Sequence, residues 1–159
     1  MLKDCTLERL QRVRLADGSR LVTLDEALTI SAGKAGLLID LKATKLEIPI
    51  LESLARCNAR NAVVCGGYID SLRAVQAAGI PASYTPDPLR VLLKPAPLTW
   101  DALTVHHRTV TPALIARANG EGVRVIAWTV DNPKRMRELI ALGVHGITTN
   151  RIEKLAALT

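Results

Sequence analysis

Six short apolar segments alternate with segments of helical periodicity, and this alternation constrains the fold more than any other feature of the 159-residue sequence. Each apolar segment is nearly continuous, which is typical of strands buried on both faces of a parallel sheet. The segments cover residues 37–41, 62–65, 82–84, 103–105, 123–128 and 146–148. Because strand and helix segments alternate with short connections, we predict an α/β chain with a parallel sheet of about six strands.

The segments between the apolar runs carry the signals of amphipathic helices. Apolar residues recur at spacings of three and four, as in Ile48, Leu51 and Leu54. Three threonines stand where helix N-caps are expected, namely Thr6, Thr23 and Thr111, and Glu26 completes a capping box with Thr23. Three glycines are placed as left-handed C-caps, namely Gly79, Gly120 and Gly143.

Parallel βα units either close into a barrel or form an open, doubly wound sheet. The open dinucleotide-binding sheet has a GxGxxG turn after its first strand, whereas the first strand here continues into Asp40-Leu41-Lys42-Ala43. We therefore predict TIM-barrel units in an incomplete barrel, because a complete barrel has eight strands. No linker divides the chain, so we expect a single domain over residues 1–159, with the proline-rich residues 85–100 as a loop or lid.

Composition narrows the classes of partner. The formal net charge is +6, but the basic residues are dispersed and aromatic residues make up only 3% of the chain, which argues against nucleic-acid binding and favours small phosphate esters. No apolar run reaches the roughly 18 residues of a membrane span, so we expect no membrane insertion. The three cysteines Cys5, Cys57 and Cys65 form no disulfide framework or metal-binding pair, and no signal segment is evident, which predicts a cytoplasmic protein.

Candidate functional residues stand at the carboxyl ends of the predicted strands, which all open on one side of a barrel. Asp40 and Lys42 lie two residues apart at the end of the first strand and so share a face of it. A carboxylate and an ammonium in this place form either a metal ligand beside a phosphate-binding lysine or a structural ion pair. The spacing alone leaves both interpretations open.

Aromatic, histidine and cysteine residues end the later strands. Tyr84 and Trp128 are candidates for contact with substrate, although Trp128 fits a core position equally well. His106 and His107 are candidates for proton transfer, and as adjacent residues they are expected to point to opposite sides. Cys65 has no neighbouring base in the sequence, so we expect a small buried hydrophobic residue rather than a nucleophile.

Four segments resemble motifs of glycerophosphodiester phosphodiesterases, in the order in which that family has them. Residues 21–28, LVTLDEAL, are similar to the PTLEEAL segment, and residues 38–42, LIDLK, are similar to the IEIK strand. Residues 125–131, VIAWTVD, resemble VxVWTVN, and residues 143–150, GVHGITTN, resemble GVDGIITD.

Members of that family are TIM barrels that cleave glycerophosphodiesters to glycerol 3-phosphate and an alcohol with a divalent metal. The resemblance implies Mg²⁺ or Ca²⁺ as cofactor, with Asp40 where a metal-binding glutamate stands, Lys42 on the active-site lysine and Trp128 on the tryptophan beside the substrate. The family's His-Arg-Gly, ExD and His-Asp motifs, which include both catalytic histidines, have no counterpart in this sequence, and its closing TD is Thr149-Asn150 here. We therefore expect an N-terminally truncated barrel.

The leading hypothesis is a metal-assisted phosphodiester hydrolase. Its predicted residues are catalytic Lys42, His106 and His107, substrate-binding Lys42, Trp128 and Tyr84, and the metal ligand Asp40. Because an incomplete barrel has two unpaired strand edges, we expect a homo-oligomer, dimeric or higher, that is active only when assembled. The alternative is a catalytically inactive barrel fragment that self-assembles and binds phosphate-like anions. A third hypothesis is a hydrolase of other esters that uses Cys65 or a histidine at the same mouth.

Overall fold

The computed structural model describes residues 4–88 and 99–158. In that part of the chain one sheet of six parallel strands runs in the order β1 to β6 and curls into an incomplete barrel, as predicted. The strands are β1 Leu37–Leu41, β2 Ala62–Gly66, β3 Ala82–Tyr84, β4 Ala102–His106, β5 Arg124–Trp128 and β6 Gly146–Ile147. The predicted strand ends agree with these bounds to within one residue.

Two helices precede the first strand, four lie between strands and one follows the last strand of the described part of the chain. They are α1 Leu7–Gln11, α2 Leu24–Ser31, α3 Glu47–Arg56, α4 Ile69–Ala77, α5 Pro112–Gly120, α6 Pro133–Leu142 and α7 Ile152–Ala156. A 3₁₀ turn, His107–Thr109, follows β4 directly. Of the predicted loop or lid, residues 89–98 lie outside the described part of the chain.

The predicted N-caps are confirmed. The hydroxyls of Thr6, Thr23 and Thr111 each accept a hydrogen bond from a backbone N–H in the first turn of their helix. The capping box also forms, and Arg20 donates a further hydrogen bond to the Glu26 carboxylate. The hydrogen bond from Arg20, followed by the one from the Thr23 backbone N–H, lowers the pKa of Glu26 to about 2. These bonds fix the point at which the chain enters α2.

The predicted C-caps are confirmed at two of three positions. Gly79 and Gly143 have left-handed φ angles of 79° and 88°. The prediction for Gly120 was wrong, because α5 includes that residue and Gly122 takes the left-handed φ of 69° instead. The turn into β5 is therefore two residues longer than the sequence signal indicates.

Alternation along the strands separates the core from the site. Leu103, Val105 and Val125 are almost fully buried and belong to the core, together with helix residues such as Leu72 and Leu139. The residues between them point to the concave face of the sheet. The polar and reactive side chains of the strands therefore collect inside the incomplete barrel.

The two outer strands leave the sheet open on both sides. Within residues 4–88 and 99–158, β1 pairs only with β2, and β6 pairs only with β5. Leu38, on the concave side of β1, is 41% exposed. None of the helices in these two ranges has the length and apolar character that crossing a bilayer requires.

Candidate functional site

A cavity of about 540 Å³ lies on the concave face at the carboxyl ends of the strands. Its wall combines one carboxylate, one ammonium, one thiol, four threonines and two large apolar side chains. These residues are Leu38, Asp40, Lys42, Cys65, Thr85, Thr104, Trp128, Thr129 and Thr148. The curled sheet thus brings three of the predicted site residues together, since Trp128 lies far from Asp40 and Lys42 in the sequence but lines the same cavity.

Asp40 and Lys42 share one face of β1, as their spacing predicts, and form an ion pair with Nζ 2.5 Å from Oδ2. The hydrogen bond that Lys42 donates to Asp40, followed by the negative charge of that carboxylate, raises the pKa of the Lys42 ammonium. The lysine side chain is 81% exposed, so it can meet a ligand that enters the cavity. At neutral pH the exposed Lys42 ammonium therefore offers a positive charge to a ligand, although the ion pair as a whole is neutral.

Tyr68 supports this pair from the neighbouring loop. Its hydroxyl donates a hydrogen bond of 3.0 Å to the backbone carbonyl of Lys42. Tyr68 stands at the start of α4, directly after Gly66 and Gly67 at the end of β2. This contact could not be predicted from the sequence, because nothing in the local pattern relates residue 68 to the end of β1.

Cys65 lies opposite Asp40 in the pairing of β2 with β1 and is only 3% exposed. Burial, followed by the nearby Asp40 carboxylate, raises the pKa of the thiol to about 11. The expected burial of this residue is confirmed. At neutral pH the side chain is a protonated thiol, which is a poor nucleophile.

Trp128 lines the cavity from the end of β5. Its indole Nε1–H donates a hydrogen bond of 3.2 Å to the backbone carbonyl of Thr104, which fixes the ring against β4. Thr104 also shares a 2.6 Å hydrogen bond between its hydroxyl and that of Ser83. A fixed indole face and several threonine hydroxyls can pack and hydrogen-bond a small polar ligand.

The two histidines end β4 next to Trp128. The His106 ring contacts the indole edge-on, with centroids 5.2 Å apart, and stacks on the His107 ring at 4.6 Å. The expectation that the rings point to opposite sides was wrong, because the strand ends at His106 and the 3₁₀ turn begins at His107. Burial, and then the positive charges of His106 and Arg135, lower the pKa of His107.

Tyr84 lies away from the cavity wall. Its ring stacks on Trp100, with centroids 5.7 Å apart, while the preceding residue, Ser83, contacts Thr104 on the concave face. Alternation along β3 therefore sends Tyr84 to the opposite face of the sheet. Its predicted contact with substrate gains no support from this position.

Thr149 and Asn150, which follow β6, bind Asp131 in the loop that follows β5. Asp131 Oδ1 accepts hydrogen bonds from the Thr149 hydroxyl at 3.0 Å and the Asn150 backbone N–H at 2.8 Å. The Asn150 side-chain amide donates to Asp131 Oδ2 at 3.0 Å. We call these three residues the 131–150 clamp. The hydrogen bonds from Asn150, and then the one from Thr149, lower the pKa of Asp131.

The described residues alone do not supply the set of ligands that a divalent metal ion requires. Residues 4–88 and 99–158 contain no group of three or more His, Cys, Asp or Glu side chains placed to hold a metal ion. Among the residues that the structure describes, Asp40 is the one carboxylate on the cavity wall, and Lys42 already pairs with it. Mg²⁺ and Ca²⁺ prefer several oxygen ligands in one site, so the predicted metal role of Asp40 stays a prediction.

Comparison with known sequences shows similarity to one family. Residues 81–154 match the model of the Glycerophosphoryl diester phosphodiesterase family. Over 168 aligned residues the chain is 26% identical to YhdW of Bacillus subtilis (strain 168), which is named as a candidate glycerophosphodiester phosphodiesterase, and the alignment covers 94% of this chain and 69% of YhdW. A protein of Mycobacterium tuberculosis (strain ATCC 25618 / H37Rv), also named as a candidate glycerophosphodiester phosphodiesterase, is 28% identical, with 91% of this chain and 62% of that protein covered.

Comparison with solved structures shows the same fold. A structure from Agrobacterium tumefaciens str. C58, titled as a candidate glycerophosphoryl diester phosphodiesterase, superposes with a TM-score of 0.85 at 18% identity, covering 96% of this chain and 70% of that one. A phosphodiesterase from Oleispira antarctica, solved in complex with the product sn-glycerol-3-phosphate, gives a TM-score of 0.81 at 16% identity, covering 99% of this chain and 71% of that one. The chain thus spans only part of the length of these relatives.

Proposed function

We propose that the chain is a phosphodiester hydrolase of the glycerophosphodiester phosphodiesterase type, because residues 81–154 match the model of that family. One observation carries the proposal: a single cavity at the carboxyl ends of the strands is lined by Asp40, Lys42 and Trp128 together. The substrate class is a small phosphate diester with a glycerol or similar alcohol group. Since the chain spans part of its relatives' length, activity is proposed for it and not transferred from them.

We assign the phosphate group to Lys42. In hydrolysis a water oxygen bonds to phosphorus, the bond from phosphorus to the alcohol oxygen breaks, and negative charge is spread over the remaining phosphate oxygens. An ammonium fixed beside those oxygens stabilises that charge. Asp40 keeps Lys42 protonated and oriented through their ion pair, and the Trp128 ring packs against the alcohol portion of the substrate.

We assign proton transfer to the two histidines. The departing alkoxide takes a proton, and His106 is the histidine whose ring contacts Trp128 at the cavity. The attacking water loses a proton, and we assign its acceptance to His107, whose ring stacks on that of His106 and whose lowered pKa keeps the imidazole neutral at neutral pH. Neither histidine is among the residues that line the cavity, so both roles require the ligand to extend beyond the wall toward the end of β4. These roles leave phosphate monoester and free alcohol as products.

No step of this reaction is assigned to a metal ion. The described residues offer one carboxylate at the cavity, and it is engaged by Lys42. Metal assistance through Asp40 therefore requires ligands in addition to those that the described residues supply. An assay in EDTA, in Mg²⁺ and in Ca²⁺ tests this directly.

We also propose that the chain works as a homo-oligomer. The support is the open edge of β1, which pairs only with β2 in the described part of the chain, and the exposed Leu38 on the concave face beside it. A second copy that covers this edge would shield the cavity from bulk water. We further propose small phosphate esters rather than nucleic acids as ligands, and a cytoplasmic location, for which the support is the odd number of cysteines, three, at spacings that form no disulfide framework.

The experiment compares Lys42→Ala and Asp40→Ala with Lys34→Ala, on a glycerophosphodiester and on bis(p-nitrophenyl) phosphate. Lys34 lies just before β1, at the opposite end of the strand from Lys42, and serves as the matched control. We expect Lys42→Ala to lower kcat/KM by about 10²-fold, as loss of one preorganised charge does, and Lys34→Ala to leave it unchanged. Full turnover in both cavity variants would reject the site assignment.

The second candidate function is a catalytically inactive barrel that self-assembles and binds phosphate-like anions. The single, already paired carboxylate at the cavity favours it. Calorimetry with inorganic phosphate and with glycerol 3-phosphate distinguishes the two functions. Saturable binding that Lys42→Ala removes, with no turnover in EDTA, Mg²⁺ or Ca²⁺, would support the anion-binding alternative over the hydrolase.

A further inference from the structure

The outermost described strand on one side of the sheet is very short. β6 consists of Gly146 and Ile147 only, and it pairs with β5 through Ile126 and Ala127. Beyond the strand, Thr148 donates its N–H to Ala127 and accepts from Val130. Strands of this length fray easily, because few hydrogen bonds hold them. The 131–150 clamp adds three hydrogen bonds at the point where this short ladder ends.

The clamp lies directly beside the cavity wall. Thr129 is two residues before Asp131, and Thr148 is two residues before Asn150, and both threonines line the cavity. The N–H of Val130 donates to the carbonyl of Thr148 at 2.9 Å, which joins the two segments between the wall and the clamp. A change in the clamp is therefore transmitted through two residues of backbone to the cavity wall.

We propose that Asp131 is a positioning residue that holds the wall formed by Trp128, Thr129 and Thr148 in place for the ligand. It acts through the backbone and makes no contact with the ligand itself. The clamp needs one carboxylate and one amide, because two carboxylates at 3.0 Å repel each other, whereas one carboxylate accepts what the amide donates. The predicted effect on turnover rests on the proposed function, whereas the predicted effect on the position of the cavity wall does not.

The carboxylate and the amide of the clamp can exchange positions. Asp131 supplies the carboxylate and Asn150 the amide of one side-chain hydrogen bond, so each residue can take the chemical role of the other. Asn150→Asp alone puts two carboxylates together, whereas the double variant Asp131→Asn/Asn150→Asp restores one carboxylate and one amide.

The test uses the whole chain labelled with 5-fluorotryptophan. The sequence contains two tryptophans, so the ¹⁹F spectrum has a resonance from Trp128 beside the clamp and a reference resonance from Trp100, which is stacked on Tyr84. Trp128→Phe assigns the signals. We expect Asn150→Asp to shift or broaden the Trp128 resonance and leave that of Trp100 in place. Asp131→Asn has a smaller effect, because the Asn150 amide can turn over to present its oxygen.

Rescue decides the matter. The double variant returns the Trp128 resonance to its original position if the clamp positions the wall. In turnover we expect Asn150→Asp to raise KM by about tenfold, since it loses a hydrogen bond and gains a repulsion, and the double variant to reverse most of this rise.

A Trp128 resonance equally displaced in the single and double variants, or unmoved in Asn150→Asp, would overturn the proposal. If Asn150→Asp fails to fold, recovery of a folded spectrum by the double variant supports it. Absence of turnover in the unaltered chain would reject the proposed function and leave the ¹⁹F result standing.

Discussion

The thiol of Cys65 lies on the cavity wall, yet its surroundings keep it protonated. Its pKa is raised to about 11, mainly by burial, and thiols are alkylated as thiolates. We expect iodoacetamide at about pH 7.5 to modify Cys65 more slowly than Cys5 and Cys57, and the rate to rise steeply as the pH approaches 11. Mass spectrometry of peptides from the folded protein measures all three rates at once.

The outcome bears on the choice between reaction classes. If Cys65 is modified as fast as the other two cysteines, and modification stops turnover, the cavity contains an activated thiol and the hydrolysis of other esters becomes the better proposal. Slow modification with turnover retained agrees with a phosphodiester hydrolase in which Cys65 only fills space.

Among single residues, those placed by strand alternation could be predicted from the sequence. Asp40 and Lys42 share a face of β1 and meet as expected, because a two-residue repeat holds throughout a strand. His107 could not be placed in this way, since the chain leaves the strand for a 3₁₀ turn at that residue. Tyr84 was predicted to contact substrate because it ends β3. Ser83 points to the concave face, however, so alternation along the strand turns Tyr84 away from it.

Gly66 ends β2 and lies opposite Leu41, the last residue of β1. A Cβ at this position would lie 3.0 Å from the carbonyl oxygen and 3.2 Å from the Cβ of Leu41, the residue between Asp40 and Lys42. We expect Gly66→Ala to destabilise the protein by about 1–3 kcal/mol, as insertion into packed structure does, and to reduce ligand binding by displacing the end of β1. Urea denaturation gives the free energy of unfolding.

Gly67 provides the matched control for Gly66. A Cβ there would meet only the carbonyl oxygen of Thr85, at 3.4 Å, with no close approach to β1. Gly67→Ala should therefore change the free energy of unfolding less than Gly66→Ala does. Equal effects at the two positions would show that loop flexibility, rather than contact with Leu41, explains the need for glycine.

Element boundaries follow from the sequence where a local chemical signal sets them. The threonine caps are such signals, because a hydroxyl at the N-cap bonds the same helix. The end of α5 depends instead on which of two nearby glycines the chain uses, Gly120 or Gly122, and the position of β5 decides this. The 131–150 clamp was missed for a related reason: its partners are 19 residues apart and meet only through the sheet.

For the whole molecule, the open edge of β1 predicts self-association. We expect light scattering at micromolar concentration to give a mass at least twice that of one chain. Leu38→Glu, which puts a charge on the exposed concave face, should lower that mass. Ile30→Glu is the control, since Ile30 is 61% exposed on α2. A stable monomer for the unaltered chain would contradict the prediction.

The order of strands in the sheet is the order of strands in the chain. Within residues 4–88 and 99–158 each strand therefore pairs with the strand before it, and no later strand lies between two earlier ones. Lengthening the sheet at either margin requires no rearrangement of what is already folded. A designer could graft further units onto this scaffold one at a time, and during synthesis each unit can dock as soon as it leaves the ribosome.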